Sequence, residues 1–289
     1  MTLRLVCGLC EKNTLQSVTH LKYCGLQKCG HCGFSEITEV PSEETVKAIY
    51  SQMEYFYHNK YQNTETLNKE HKRRLGFVSE FIHHPDANIL EVGCAAGDFI
   101  KYIDGKYVMW GIDVSDAAIA EAKRKLPEIQ DRLHAGFIEK QTYPPNFFDG
   151  VVMWDVIEHL RDPFAVLDQL FYHLKPSGHL FLSTPNIGSM TAKVLGKYWP
   201  LMTPPEHLSF FTRKSFKFLF EQKLNSKMVK WETKGKWANL GFLFYKIQAV
   251  VPHLIPNWLI KLFEMKYTKQ LAVYVPTGDI QYVVVQKQK

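Results

Sequence analysis

Two carboxylates and two glycines lie close together in residues 88–113, and their order carries chemical meaning. The run reads N-I-L-E-V-G-C-A-A-G-D-F-I, then K-Y-I-D-G-K-Y, then V-M-W-G-I-D. Glu91 precedes Gly93 and Cys94, Asp98 follows Gly97, and Asp113 stands 20 residues after Gly93. Glycine in such a turn lets the backbone approach a ligand more closely than a Cβ allows. A helix opening at Asp98 points its first N–H groups at the same place. A carboxylate ~20 residues on can accept ribose hydroxyls. The pattern is E-x-G-x-x-x-G, not the G-x-G-x-x-G that cradles a pyrophosphate. Acids on both sides of the turn suit a cationic ligand, one carrying a sulfonium and an ammonium.

A second constellation is metallic. Cys7-x-x-Cys10 and Cys29-x-x-Cys32 are separated by 18 residues. Two such knuckles present four thiolates in a tetrahedron, which suits structural Zn²⁺. A segment of residues 1–40 buries too little to fold alone, so a metal would supply the missing stability. A closed four-thiolate site has no open position for chemistry. The module is expected to dock on the main domain or to help shape a substrate site. Cys24, His20 and His31 read as surface residues, although Cys24 could stand in for Cys29.

The elements that must position these groups follow from pattern. Ile89, Leu90 and Val92 suit a buried parallel strand, and a turn, a helix and a second strand ending at Asp113 follow. Residues 115–125 favour helix, with Pro127 just beyond. Residues 132–135, 149–154 and 179–184 fit further strands, and Pro176 and Gly178 mark a turn. Trp154 and Asp155 end the fourth strand, on the carboxyl edge where open α/β sheets bind ligands. Glu158 and His159 are expected to open the next helix. His207 lies in a long irregular stretch where a substrate would enter. Its near-neutral pKa suits proton removal, whereas the blander reading makes P-E-H-L a helix start with a packed imidazole.

With the later run F-D-G-V-V-M-W-D-V-I-E-H-L, the turn and its acid resemble class I S-adenosylmethionine-dependent methyltransferases over residues 50–221, and more loosely the C-terminal strand. The resemblance implies an α/β fold, a Rossmann-like doubly wound seven-stranded sheet. It implies S-adenosylmethionine held by Glu91, Gly93, Cys94, Gly97, Asp98 and Asp113. Val114 would flank the ribose, Phe137 and Ile138 the adenine, and Trp154 and Asp155 would lie on the cofactor side. A tyrosine ahead of the first strand, Tyr55 or Tyr61, would close over the methionine part. A zinc ribbon followed by P-S-E-E-T-V-K-A-I-Y, and the motif P-x-E-H-L-x-F-F, look like a subgroup associated with sugar, polysaccharide and natural-product pathways.

The flanks complete the division. Residues 41–87 form a helical lead-in and cofactor cover, with Ser42 as an N-cap. Lys69, Lys72, Arg73 and Arg74 read as a solvated face of a helix over 64–83. Residues 88–289 form the methyltransferase domain. Its last two strands, 227–234 and 281–286, make an antiparallel edge pair. Between them an apolar helical insert, about 238–267, reads as a cover over the site or a dimer contact. The sharper reading is an interfacial hairpin touching membrane or a lipid-linked substrate.

Composition narrows the class. Apolar residues make up 46% of 289, ample for a core. The net charge of +6, from 35 basic and 29 acidic residues, is spread out, so no nucleic-acid partner is expected. No signal peptide or membrane span is evident, which implies a cytoplasmic protein whose six cysteines are ligands or buried thiols.

The expectation is methyl transfer from S-adenosylmethionine to a small molecule: a sugar, nucleotide-linked sugar or phenolic natural product, at hydroxyl or carbon. His207 is the first choice of base and His159 the second. An RNA or protein methyltransferase and a non-catalytic scaffold are the alternatives. The run W-D-V-I in place of N-P-P-Y argues against methylation of amino groups on bases or glutamine.

Overall fold

The computed structural model describes residues 6–21, 24–45, 48, 64–239 and 272–288. Tyr55, Tyr61 and nearly all of the apolar insert lie outside them.

The centre is a seven-stranded sheet. Strands β4 (Asn88–Val92), β5 (Val108–Asp113), β6 (Leu133–Ala135), β7 (Phe148–Trp154) and β8 (Leu174–Pro185) run parallel. Strands β10 (Ser226–Asn239) and β11 (Ala272–Lys287) close one edge antiparallel, in the order β10-β11-β8-β7-β4-β5-β6. Strand β4 pairs with both β5 and β7, so chain direction across the sheet reverses at β4 and leaves a crevice at its carboxyl end. The central strands are nearly continuous apolar runs because both faces are covered.

Helices α1 (Thr64–Ser79), α2 (Asp98–Tyr102), α3 (Asp116–Lys125) and α4 (Pro163–His173) flank the sheet. Ser115 caps α3 by accepting the Ala118 N–H at 3.2 Å, and basic Lys123, Arg124 and Lys125 favour its last turn. The expectation that Glu158 and His159 open a helix is corrected. They form a single 3₁₀ turn, and α4 begins at Pro163. Asp162 caps α4 through the N–H groups of Phe164 and Ala165, and the residue before a proline avoids the helical region.

The cysteine segment contributes a second sheet. Strands β1 (Leu15–His20), β2 (Gly25–Cys29) and β3 (Ser35–Ile37) pair antiparallel, and β3 then pairs with β9 (Ser209–Phe210) of the main domain. Cys7, Leu9, Cys10 and Phe34 pack in the same apolar cluster as Leu90, Val92 and Val151. The Phe34 ring meets Phe211 and Phe164 at centroid distances of 5.1 and 5.4 Å. Cys24 is not a surface residue: it is buried with Leu26, Ile37, Leu208 and Trp199. His20 and His31 are exposed. Among the described residues no helix is long and apolar enough to cross a membrane.

Candidate active site

The turn after β4 is built around Asp113. One carboxylate oxygen accepts the Ala95 N–H at 2.9 Å and the other accepts the Ser115 N–H at 2.9 Å. The acid thus ties the glycine turn to the end of β5. Gly93 and Gly97 hold φ of 74° and 75°, and Ala95 between them holds 45°. A Cβ on Gly93 would lie 2.5 Å from Val156 Cγ2, and one on Gly97 3.0 Å from Leu126 Cδ1. These glycines therefore also serve conformation and packing against protein.

Glu91 is buried beneath the turn. Burial raises its carboxyl to about 8, with Asp113 and Asp98 adding to the rise and Arg74 opposing it. Its Oε2, the Trp154 Nε1 and the Arg74 Nε are buried polar atoms without hydrogen-bond partners. Two N–H donors and a carboxyl oxygen left without partners near the carboxyl edge fit a polar ligand that both accepts and donates. Asp98 stands at the start of α2 and takes Lys125 Nζ at 2.8 Å. Cys94 is buried, Val114 and Phe137 are half-buried, and Lys140 Nζ lies 5.1 Å from the Phe137 ring centre. Ile138 packs in the core cluster.

Arg74 was not legible as a site residue. The expectation of a solvated basic face is corrected for Arg73 and Arg74, whose side chains are 15% and 16% exposed. Arg74 Nη2 donates to Asp155 Oδ2 at 3.1 Å, and its guanidinium lies 5.5 Å from the Trp154 ring centre. Asp155 holds φ of 57°, an unusual value for a non-glycine residue. Its Oδ1 accepts the Ser183 hydroxyl at 3.1 Å. Burial opposes the ionised form of Asp155, but Lys236, Arg74 and Ser183 together outweigh it and hold the carboxyl low.

Beside Asp155, on the same sheet edge, Glu158, His159 and His207 bring their ligand atoms within 4.8 Å of one another. The imidazole centroids of His159 and His207 are 4.7 Å apart with planes at 70°. His159 Nδ1 lies 2.9 Å from the Glu206 carbonyl oxygen and His207 Nδ1 lies 2.7 Å from that of Leu201. A carbonyl only accepts, so both Nδ1 atoms carry the proton and Nε2 is the basic nitrogen. The stretch before β9 is a turn, not a helix: Thr203 O accepts the N–H groups of Glu206 and His207. Burial, then the neighbouring His159, lowers His207 to about 3. Burial also lowers His159. Glu158 accepts the Thr184 hydroxyl at 2.8 Å, and burial, then Asp155, raises it to about 8. Two imidazoles and a carboxylate could hold a cation, but a carboxyl kept protonated at neutral pH opposes one. The arrangement is better suited to moving a proton.

The four knuckle cysteines form a separate cluster with all Sγ atoms within 4.8 Å. Cys7 and Cys32 Sγ are 3.6 Å apart, and Cys10 and Cys29 3.5 Å. A disulfide needs ~2.05 Å, whereas four bonds of ~2.3 Å to a tetrahedral ion place sulfurs about 3.8 Å apart. The Thr14 hydroxyl at 3.0 Å and the Cys32 N–H at 3.5 Å contact the Cys29 sulfur, as outer partners of a thiolate would. The donor set fits a divalent ion.

A parallel sheet with an acid-anchored glycine turn, and a titratable cluster at the same edge, defines the class I methyltransferase architecture. Residues 60–227 match the family described as "Methyltransferase domain". The chain belongs to that family. A ubiquinone biosynthesis O-methyltransferase of Nitrosomonas europaea is 26% identical over 142 residues, 47% of this chain and 60% of that protein. The enzyme of the same name from Xylella fastidiosa is 31% identical over 121 residues, 39% and 48% of the two chains. The chain thus spans between about half and three-fifths of the length of these relatives. In fold it is similar to the [4+2]-cyclase SpnF, with a TM-score of 0.57, 16% identity and coverage of 86% and 97%. It is also similar to a SAM-dependent methyltransferase from Archaeoglobus fulgidus, at 0.52, 16%, and 83% and 99%.

Proposed function

We propose that the protein transfers a methyl group from S-adenosylmethionine to a hydroxyl of a small molecule, phenolic or sugar-like, with Zn²⁺ at Cys7, Cys10, Cys29 and Cys32 as a structural ion. The observation that carries this reading is the placing of the Glu158–His159–His207 cluster on the sheet edge that also bears the Asp113-anchored turn. The names of the curated relatives support an oxygen acceptor.

When bound, the cofactor supplies an electron-poor methyl carbon. Asp113 would orient the ribose, and Glu91, Arg74 and Trp154 would satisfy their buried polar atoms against the methionine end. Holding acceptor and donor in line provides most of the acceleration. His159 is the better base of the pair. His207 is 8% exposed and held to about 3, so it serves chiefly as a packed neighbour that fixes the ring of His159. The Nε2 of His159 would take the acceptor's proton, and the Asp155 carboxylate favours the imidazolium that forms. A soluble, cytoplasmic setting, a homodimer, and contact of the insert with membrane or a lipid-linked acceptor belong to the same proposal. Incubation of a lysate with methyl-labelled cofactor tests it. Label is expected in the small-molecule fraction, and label confined to RNA or protein overturns the acceptor class.

A further inference from the structure

Leu208 is held from two sides. Its carbonyl accepts the N–H of Ile37, in the cysteine segment, at 3.0 Å, and its own N–H donates to the carbonyl of Glu158 at 2.8 Å. One residue therefore joins strand β3 to the turn that carries the acidic member of the cluster, and the residue before it is His207. The pairing continues at Glu36 with Ser209 and Ser35 with Phe210. On its other face β3 reaches the knuckles: the Glu36 carboxylate accepts the Gly8 N–H at 3.3 Å. Gly8 lies between Cys7 and Cys10. The far end of the stretch is fixed separately, since Gln281 Nε2 donates to the Phe211 carbonyl at 3.0 Å.

We propose that the cysteine segment is a positioning element of the active site: β3, through Ile37 and Leu208, sets the distance between His207 and the Glu158–His159 turn. The proposal rests on the assignment of that edge as the acceptor side. The reasoning is geometric. The stretch of residues 201–211 contains no helix and only a two-residue strand, β9. A segment with so little internal structure keeps one conformation only through its neighbours. Strand β3 holds the residue after His207 through the Ile37 N–H, on the side opposite the bond from Leu208 to Glu158. The segment itself is short and depends on its knuckles for shape. The occupancy of the four cysteines would therefore reach the acceptor side without touching the Asp113 turn.

The test uses the full-length protein and hydrogen exchange. Zinc content is measured first, then zinc is removed with a chelator. Separately, Ile37→Pro removes the donor to Leu208 while leaving all four cysteines. Amides of residues 207–210 are expected to exchange about tenfold faster in both cases, the equivalent of one lost hydrogen bond. Exchange in residues 88–113 and affinity for S-adenosylhomocysteine should change less than about twofold. Unchanged exchange at 207–210 in both preparations overturns the proposal. So does an equal rise in residues 88–113 with loss of cofactor affinity, because it would mark general destabilisation. A purified protein without zinc removes the metal assignment alone, and Ile37→Pro then decides the positioning role.

Discussion

The imidazoles of His159 and His207 meet edge to face, 4.7 Å between centroids, and the His159 ring also reaches the backbone of Glu206, 47 positions along the chain. Each ring is oriented by a backbone carbonyl on its Nδ1, so neither is free to rotate to the other tautomer without losing a buried bond.

This pairing predicts unequal effects of substitution. His159→Gln is expected to lower turnover about 10²–10⁴-fold, the usual contribution of a general base. His207→Gln is expected to cost less and to raise KM more than it lowers kcat. Cofactor affinity should stay within a few-fold for both. Steady-state kinetics with the identified acceptor checks this, and equal kcat losses would return His207 to the role of base.

Glu158 predicts a pH dependence of stability. Burial and then Asp155 raise its carboxyl in the fold to about 8, above the ordinary 4.5. The folded state therefore binds more protons than the unfolded one between these values. Its contribution is complete below about pH 4.5 and is lost as pH rises toward 8, with a slope of at most about 1.4 kcal/mol per pH unit. Glu91, also raised to about 8, adds the same loss, whereas the lowered His207 and His159 oppose it below about pH 6.5. The cofactor-free protein should therefore lose stability from about pH 7 to pH 8 by denaturant unfolding. Glu158→Gln should remove about half of that slope, and an unchanged slope would contradict the assignment.

Gly93 predicts a backbone effect. With φ at 74° and a Cβ only 2.5 Å from Val156 Cγ2, Gly93→Ala must strain the turn and displace Val156. A loss of about 1–3 kcal/mol in unfolding free energy is expected. Gly105→Ala shares the φ, 74°, but has no atom within 4 Å of the added carbon, so it isolates the conformational part. A Gly93→Ala cost no larger than that of Gly105→Ala would show that packing against Val156 contributes nothing.

Arg74 and Asp155 predict coupling. Their contact, 3.1 Å, is partly buried and adjoins the Trp154 ring. Arg74→Met should leave Asp155 with the Ser183 hydroxyl and, among the described residues, Lys236 at 3.9 Å as its cation, and weaken cofactor binding about tenfold or more. A double-mutant cycle with Asp155→Asn measures the coupling in cofactor affinity, and additive single effects would show that the pair does not act together.

Much of this arrangement was legible from pattern. The five parallel strands announce themselves because strands buried on both faces must be apolar, and residues 88–113 could be read as strand, turn, helix and strand from Ile89, the glycines and Asp113. The antiparallel pair at the sheet edge followed too, although β10 and β11 extend further than the expected 227–234 and 281–286. Four features were hidden. Arg74 sits in a basic stretch, and helical spacing alone cannot tell an arginine facing water from one facing a carboxylate 81 residues away. The pairing of β3 with β9 joins residues some 170 positions apart through backbone bonds, which leave no mark on side-chain choice. Cys24 resembles its neighbours in type, and only packing separates a buried thiol from a ligand. The cysteine knuckles were plain from spacing, whereas their seat against Phe211 and Phe164 was not.

The central claim is a pocket anchored by Asp113 that receives a cationic sulfur nucleoside. Calorimetric titration of the full-length protein with S-adenosylhomocysteine tests it most directly, with Asp113→Ala as the partner measurement. Micromolar binding, weakened about tenfold or more in the variant, is the expected result. No detectable binding to the wild-type chain, or equal binding to both, would contradict it.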